Sequence, residues 1–267
     1  MPDDHLNLII SSKDNSINGV SNPITIPLNN IGNNSKIVRI VVKSASIVNN
    51  FYNIRDGINN KLYVTGFVGA TPYSAIVSIP EGQYTVTTLL DYLNSTTAFI
   101  TLGATLSFDV LTNRIITNVT GASTFTYLFN ASGLLPNNKA IEGAYIVLGL
   151  VYGFNFTFNP GANLHRNMCD LSGVKNIYVE SNFTKMNSMD KQGFRDIGVI
   201  IPLDVPYLSV KAYVNQEQQL EIITRDTSYS QNLSAPTITL LDVDGNVLNT
   251  QGINWEMAFK IFYVTID

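Results

Sequence analysis

This chain is short of the residues from which most enzyme chemistry is built. Of its 267 residues only two are histidine, His5 and His165, and one is cysteine, Cys169. A single thiol excludes an intrachain disulfide and fits a reducing compartment. His165 and Cys169 together supply two metal ligands with no second pair, which makes a poor zinc site. A loop histidine and a buried free thiol are the expected reading. Charge is also scarce, at 13% Asp, Glu, Lys and Arg against roughly 25% in ordinary domains. No apolar run approaches transmembrane length. Met1-Pro-Asp-Asp-His-Leu6 has neither the basic nor the long apolar region of a secretory signal, so synthesis in the cytosol is expected.

Other absences remove whole classes of function. There is no Gly-X4-Gly-Lys-Ser/Thr phosphate loop and no Gly-X-Ser-X-Gly nucleophile elbow. The net charge of −4 argues against a nucleic-acid partner, because neutralising phosphates takes clustered Lys and Arg. The densest basic stretches, Lys36 to Lys43 and Lys185 to Arg195, are interrupted by apolar or acidic residues. In the first, Arg39 and Lys43 alternate with Val38, Ile40 and Val42 and read as the wet face of a strand. Asp242-Val-Asp244-Gly245-Asn246 superficially matches a calcium loop but lacks its terminal bidentate Glu and flanking helices, so a hairpin turn is expected. Spacing does not decide whether two carboxylates stand at glycosidase separation, and Asp204 and Glu256 read as exposed strand carboxylates. Asn94, Asn118, Asn155, Asn182 and Asn232 open Asn-X-Ser/Thr sequons, which abundant Asn, Ser and Thr produce by chance.

What is present is β-sheet pattern. Hydrophobic residues make up 45% of the chain, so the surface is left largely to Asn, Ser, Thr and Tyr. Such a surface suits a close-packed assembly; an AT-rich genome, which also favours Asn, explains it equally well. Ile253, Trp255, Met257, Phe259 and Ile261 alternate with Asn254, Glu256, Ala258 and Lys260, the period of a half-buried strand. Further strands are expected at Leu6 to Ser11, Pro23 to Leu28 and Lys36 to Ile47, the prolines of the second marking a sheet edge or an arm. The length allows one or two domains.

The middle of the chain is organised differently. Thr85 is placed to cap a helix whose apolar face is Val86, Leu89, Leu90 and Leu93. Thr105 to Val110 and Arg114 to Val119 form a hairpin around Thr112-Asn113, followed by a third strand through Phe125, Tyr127 and Phe129. Ala144 to Asp170 then leads back toward the sandwich. Two polar loops, Phe183 to Asp196 and Gln216 to Pro236, interrupt the last third, with apolar periodicity only around Leu220 to Ile223. Among the aromatics, Phe108, Phe125, Phe156 and Phe259 are expected in cores, while Tyr73 and Tyr229 read as loop residues available for contacts.

Both ends of the chain carry a family resemblance. Leu171-Ser-Gly173 feeding Val174 to Val179, Asp196-Ile-Gly-Val-Ile-Ile-Pro202, Ile238 to Leu248 and Ile253 to Ile261 follow an order that resembles the C-terminal half of the jelly-roll penton and minor capsid proteins of virophages, polinton-like viruses and related large DNA viruses. Ile40 to Ile54 resembles the N-terminal strand of the same family, and the middle resembles a segment common in these capsid proteins and in some viral attachment proteins. The resemblance implies an all-β chain: a single jelly-roll β-sandwich with an inserted small α+β subdomain. Residues 1–60 would hold the N-terminal arm and first strands, 61–150 an outward-facing insertion, and 151–267 the remaining strands. It further implies a homopentamer at the vertices of an icosahedral virion, surrounded by major capsid protein trimers and assembled in the host cytoplasm, with a host receptor or glycan as a further contact. No catalytic, cofactor-binding or metal residue, no nucleic acid and no membrane span belong to that expectation. The chain is too short for the double jelly roll of the major capsid protein, which favours the vertex. Another minor or cement role, or a carbohydrate-binding attachment module, is the alternative.

Overall fold

The computed structural model describes residues 4–15, 23–25, 35–120, 124–129, 143–151, 153–181, 187–190, 193–215, 222–223 and 237–265. They fall into two compact units: Met1–Phe51 with Val174–Asp267, and Tyr52–Gly173. The chain begins in the first with β1 (Asp4–Ser11), β2 (Ile24–Thr25) and β3 (Ser35–Val48). It passes through the second as β4 (Lys61–Val68), β5 (Thr71–Ser78), α1 (Val86–Ser95), α2 (Thr97–Thr101), β6 (Ala104–Asp109), β7 (Arg114–Val119), β8 (Phe125–Tyr127), β9 (Phe156–Phe158) and β10 (Gly161–Leu164). It returns as β11 (Asn176–Ser181), β12 (Asn187–Asp190), β13 (Gly193–Pro202), β14 (Val210–Val214), β15 (Ile222–Ile223), β16 (Thr237–Leu241) and β17 (Glu256–Thr265).

In the first unit the strands pair from the ends inward. β1 pairs with β17, β2 with β16, β3 with β14 and β11 with β13, all antiparallel. The sheets read β1-β17-β3-β14 and β12-β13-β11-β16-β2, with β15 also on β3. An antiparallel ribbon folded over so that its nested pairs alternate between two sheets is a jelly roll. One core joins the sheets: Val42, Ile47, Met257, Phe259 and Ile261 from one meet Ile177, Val179, Val199, Ile201, Ile238 and Leu240 from the other.

Period-2 alternation explains which side chains enter that core. Trp255, Met257 and Phe259 are each 1% exposed while Glu256 faces water. Ile253, expected on the same face, precedes β17 and is exposed. In β3 a bulge opposite Ala258 and Phe259 leaves Lys43 out of register, so the phase changes by one residue. That is why Val42 lies on the core side before the bulge and Ala45 and Ile47 lie there after it. β2 ends its sheet, in keeping with the edge expected from its prolines; Ile26, Pro27 and Leu28 lie outside the described residues. The expected loop Phe183 to Asp196 is corrected, because β12 and β13 pair there as a hairpin. Most of Gln216 to Pro236 lies outside the described residues, but Ile222 and Ile223 pair with Ile40 and Arg39.

The second unit combines the sheets β5-β4-β8-β9 and β10-β7-β6 with two helices. At the start of α1 the Thr85 hydroxyl accepts the Thr88 N–H at 3.2 Å while the Thr88 hydroxyl accepts the Thr85 N–H at 3.0 Å. Leu89, Leu90 and Leu93 are buried beneath the helix. α2 follows at once and was not expected. Asn94 joins α1 to β6, its amide oxygen accepting the Leu106 N–H at 2.6 Å and its amide nitrogen donating to the Leu106 carbonyl at 2.9 Å. Phe99, Phe125, Tyr127 and Phe158 form a ring cluster with centroids 4.8–6.4 Å apart. The hairpin β6–β7 turns at Asn113, whose φ of 54° suits an Asn. The third strand, β8, pairs with β4 and β9. One expectation is corrected. Residues 151–170 belong to this unit, not to the sandwich, because β9 and β10 satisfy their backbones on β8 and β7.

Candidate functional site

The residues that carry titratable chemistry are engaged in holding the fold. β7 alternates Ile115, Thr117 and Val119 inward, which places one hydroxyl among apolar side chains. His165, just past β10 and 1% exposed, meets that hydroxyl: its Nε2 lies 2.7 Å from Thr117 Oγ1. Its Nδ1 is 2.6 Å from the Leu148 carbonyl. A carbonyl only accepts, so Nδ1 carries the hydrogen and Nε2 accepts from Thr117. Thr117 Oγ1 is in turn 3.4 Å from the Tyr127 hydroxyl. The ring stacks on Phe158 and meets Tyr127 edge-on. Burial lowers its pKa from 6.5 to about 4, against the opposing pull of the Leu148 carbonyl. Burial also raises the Tyr127 phenol above its usual range. His165 therefore lies in a loop, as expected, but is buried in the core.

Cys169 is half-buried. Burial, with the charge of Asp170 second, pushes its thiol up to about 11, far from the thiolate a nucleophile or ligand needs. It lines a hollow with Ile146, Leu150, Asn167 and Met168. Gly149 makes the neighbouring turn: at φ +73° it sits so close to Asn167 that a Cβ would stand 2.2 Å from that carbonyl oxygen. With both nitrogens of His165 already bonded, the pair His165 and Cys169 is not assembled for a metal. Among the described residues no group of three or more His, Cys, Asp or Glu gathers for one. His5 falls in β1, in register with Phe262.

The Asp242 segment is the expected turn. The Asp242 carboxylate, on a residue 4% exposed, accepts the N–H groups of Asp244 and Asn246 at 2.9 and 2.8 Å and the Asn246 amide at 2.9 Å. Gly245 takes φ 80°. Those oxygens meet N–H donors where a calcium loop would aim them at a cation. Asp204 lies between β13 and β14, not within a strand, and pairs with Lys211 at 2.5 Å, which holds its carboxyl below the usual range. Glu256 is an exposed strand carboxylate. Phe125 and Phe259 are fully buried and Phe108 and Phe156 pack against the second core. Tyr73 belongs to β5 and not to a loop; Tyr229, Asn182 and Asn232 lie outside the described residues.

Sequence reasoning missed the outer faces of the two sheets of the sandwich. On β14 the outward residues Val210, Ala212 and Val214 are all apolar and exposed, Val210 at 56% and Val214 at 67%. Register continues this face as Ile9, Ala258, Ser44 and Val214 across β1, β17, β3 and β14. On the other sheet the register row Ile200, Tyr178, Leu241 and Val247 is exposed at its two ends, Ile200 and Val247, while Leu241 is buried. On the β1-β17-β3-β14 face the ionised residues include Glu256 and Lys260 of β17 and Lys43 at the β3 bulge. The signal of the β14 face in the sequence was Val-Lys-Ala-Tyr-Val, where the three residues facing water are Val210, Ala212 and Val214.

No protein-family model and no curated protein matches the chain. Among solved structures it is similar to the crystal structure of the mavirus penton protein, at 10% identity and TM-score 0.49 over 99% of this chain and 100% of that one. It is also similar to a chain of the Sputnik virophage structure, at 14% identity and TM-score 0.45 over 98% of each chain.

Proposed function

We infer that this chain is a structural virion protein, the penton that forms the pentameric vertex capsomer of an icosahedral capsid. The observation that carries the reading is the nested strand order of a jelly roll, an architecture used by viral capsid domains. It is built by the same stretches, β3, β11, β13, β16 and β17, that resemble penton and minor capsid proteins in sequence. Fold alone does not imply function; the coincidence of fold with sequence resemblance is what supports the role.

The outer faces supply a means of assembly. A ring needs two different patches on each subunit, one docking on the other in the neighbour. The β14 face, with Val210 and Val214, and the exposed Ile200 and Val247 of the other sheet supply two such patches. The unit Tyr52–Gly173 is the module directed away from the shell, and major capsid protein trimers surround the ring at each vertex. Assembly takes place in the host cytoplasm.

Native mass spectrometry at rising protein concentration, with low-dose imaging of the same samples, tests the reading. The expected result is monomer giving way to pentameric rings, alone or once major capsid protein is added. A stable trimer, or virion density away from the five-fold vertices, overturns the penton role. Saturable glycan binding without ring formation points instead to an attachment module.

A further inference from the structure

The second unit is closed around one buried base. Beside β10, His165 bonds to β7 through Thr117 and to the turn 144–149 through Leu148. Its ring faces Tyr127 of β8 at 5.9 Å and Phe158 of β9 at 5.4 Å. Its own N–H donates to the Ile115 carbonyl of β7 at 2.8 Å. Five segments therefore meet at one imidazole. What faces it from each is uncharged near neutral pH: a hydroxyl from β7, a phenol from β8, a phenyl ring from β9 and a carbonyl from the turn.

The donor order of this cluster is satisfied only by a neutral ring. Nδ1–H donates to Leu148, Thr117 O–H donates to Nε2, and Tyr127 O–H is left to donate to Thr117. A proton on Nε2 turns that acceptor into a donor. Thr117 must then give up its donation and redirect its hydrogen toward the phenol oxygen, whose own hydrogen loses its acceptor. Among the described residues no carboxylate acts on the ring to offset the lost hydration of the cation created, a cost that in practice is relieved by exposing the group to water.

We propose that His165 is an acid-sensitive latch: protonation at Nε2 reverses the hydrogen bonds from Tyr127 through Thr117 and frees β10 and the turn 144–149 from β7. The inference stands on this cluster and does not depend on the capsid role. Its direction with pH follows from linkage. The folded ring has a pKa of about 4 against 6.5 when free, so the opened form binds more protons between those values. Stability of the closed form is full above about pH 6.5, falls as the pH drops, and levels off below about pH 4. The opened population is then raised roughly a hundredfold at pH 4 relative to pH 7.

Hydrogen exchange read by mass spectrometry on the full chain, corrected for intrinsic rates, tests this. Peptides covering 143–151 and 161–170 are expected to lose protection by about a hundredfold between pH 7 and pH 4, with β1 and β17 unchanged over most of that range. His165→Phe keeps the stacked ring but cannot titrate, and the acid step is expected to vanish. An acid step of undiminished size in His165→Phe overturns the latch. Should that variant not fold, the unaltered chain decides by imidazole NMR, where two histidines give two signals and His5→Asn assigns them. A His165 signal neutral down to pH 5 supports the proposal; one titrating near 6.5 overturns it.

Discussion

The two units solve the same packing problem with opposite sequence economies. In the sandwich, the β12–β13 hairpin and the β11–β13 pair apart, pairings close long loops: β1 meets β17, β2 meets β16 and β3 meets β14. In the second unit β4 meets β5 and β6 meets β7, neighbours joined by tight turns. Loop closure must be met before distant strands reward it, so local pairings form readily and nested ones late. β17 lies between β1 and β3, so the sandwich is incomplete until the chain's last strand arrives. The second unit needs no strand from outside Tyr52–Gly173.

The largest expected effect separates the two cores. Trp255 is the chain's one tryptophan, 1% exposed, and its backbone exchanges hydrogen bonds with Ser12, to the hydroxyl and from the N–H, both at 2.9 Å. Truncating such a residue costs about 3–5 kcal/mol. Trp255→Ala should therefore unfold the sandwich, seen as lost protection in β1 and β17, while β6 and β7 stay protected. Phe125→Ala carries a similar cost in the second unit and should leave tryptophan emission of the sandwich unchanged. Simultaneous loss of both units in either variant would break the comparison.

A smaller effect belongs to the local economy of the second unit. Thr85→Ala removes the acceptor for the Thr88 N–H and should cost about 0.5–2 kcal/mol, measured by urea unfolding of that unit. Smallest of all is Lys211→Ala. It breaks the pair with Asp204, which is exposed, and such pairs contribute little; no shift in melting temperature is expected beyond error. A clear shift would mean that the β13–β14 connection carries more of the sandwich than its exposure suggests.

Much of the architecture was legible because local chemistry specified it. The alternation through Trp255, Met257 and Phe259, the Thr85 cap with its Leu89, Leu90 and Leu93 face, the Asn113 turn and the Asp242 to Asn246 turn each depend on neighbours within a few residues. Where the reading failed, the deciding partner was distant. β9 and β10 were assigned to the wrong unit because nothing in Phe156-Thr-Phe158 names β8 as its partner. The Phe183 to Asp196 stretch looked like a loop because polar edge strands lack alternation. Ile253 looked buried because the strand's start is set by pairing with Ser11 and Ser46, not by periodicity. The burial of the loop residue His165 was not foreseen, although Thr117 at an inward position of β7 was the available hint that a polar partner had to exist.

By itself, then, the sequence determined the β-rich class, the identity of most core side chains and the positions of the tight turns, since period-2 burial and positive-φ turns are properties of short segments. Tertiary structure alone decided the nesting of the strand pairs, the bulge at Lys43 that returns Ala45 and Ile47 to the core, the extent of the second unit, and the enclosure of His165. Each of these depends on which distant backbone satisfies a strand's hydrogen bonds, and a strand's own residues do not encode that choice.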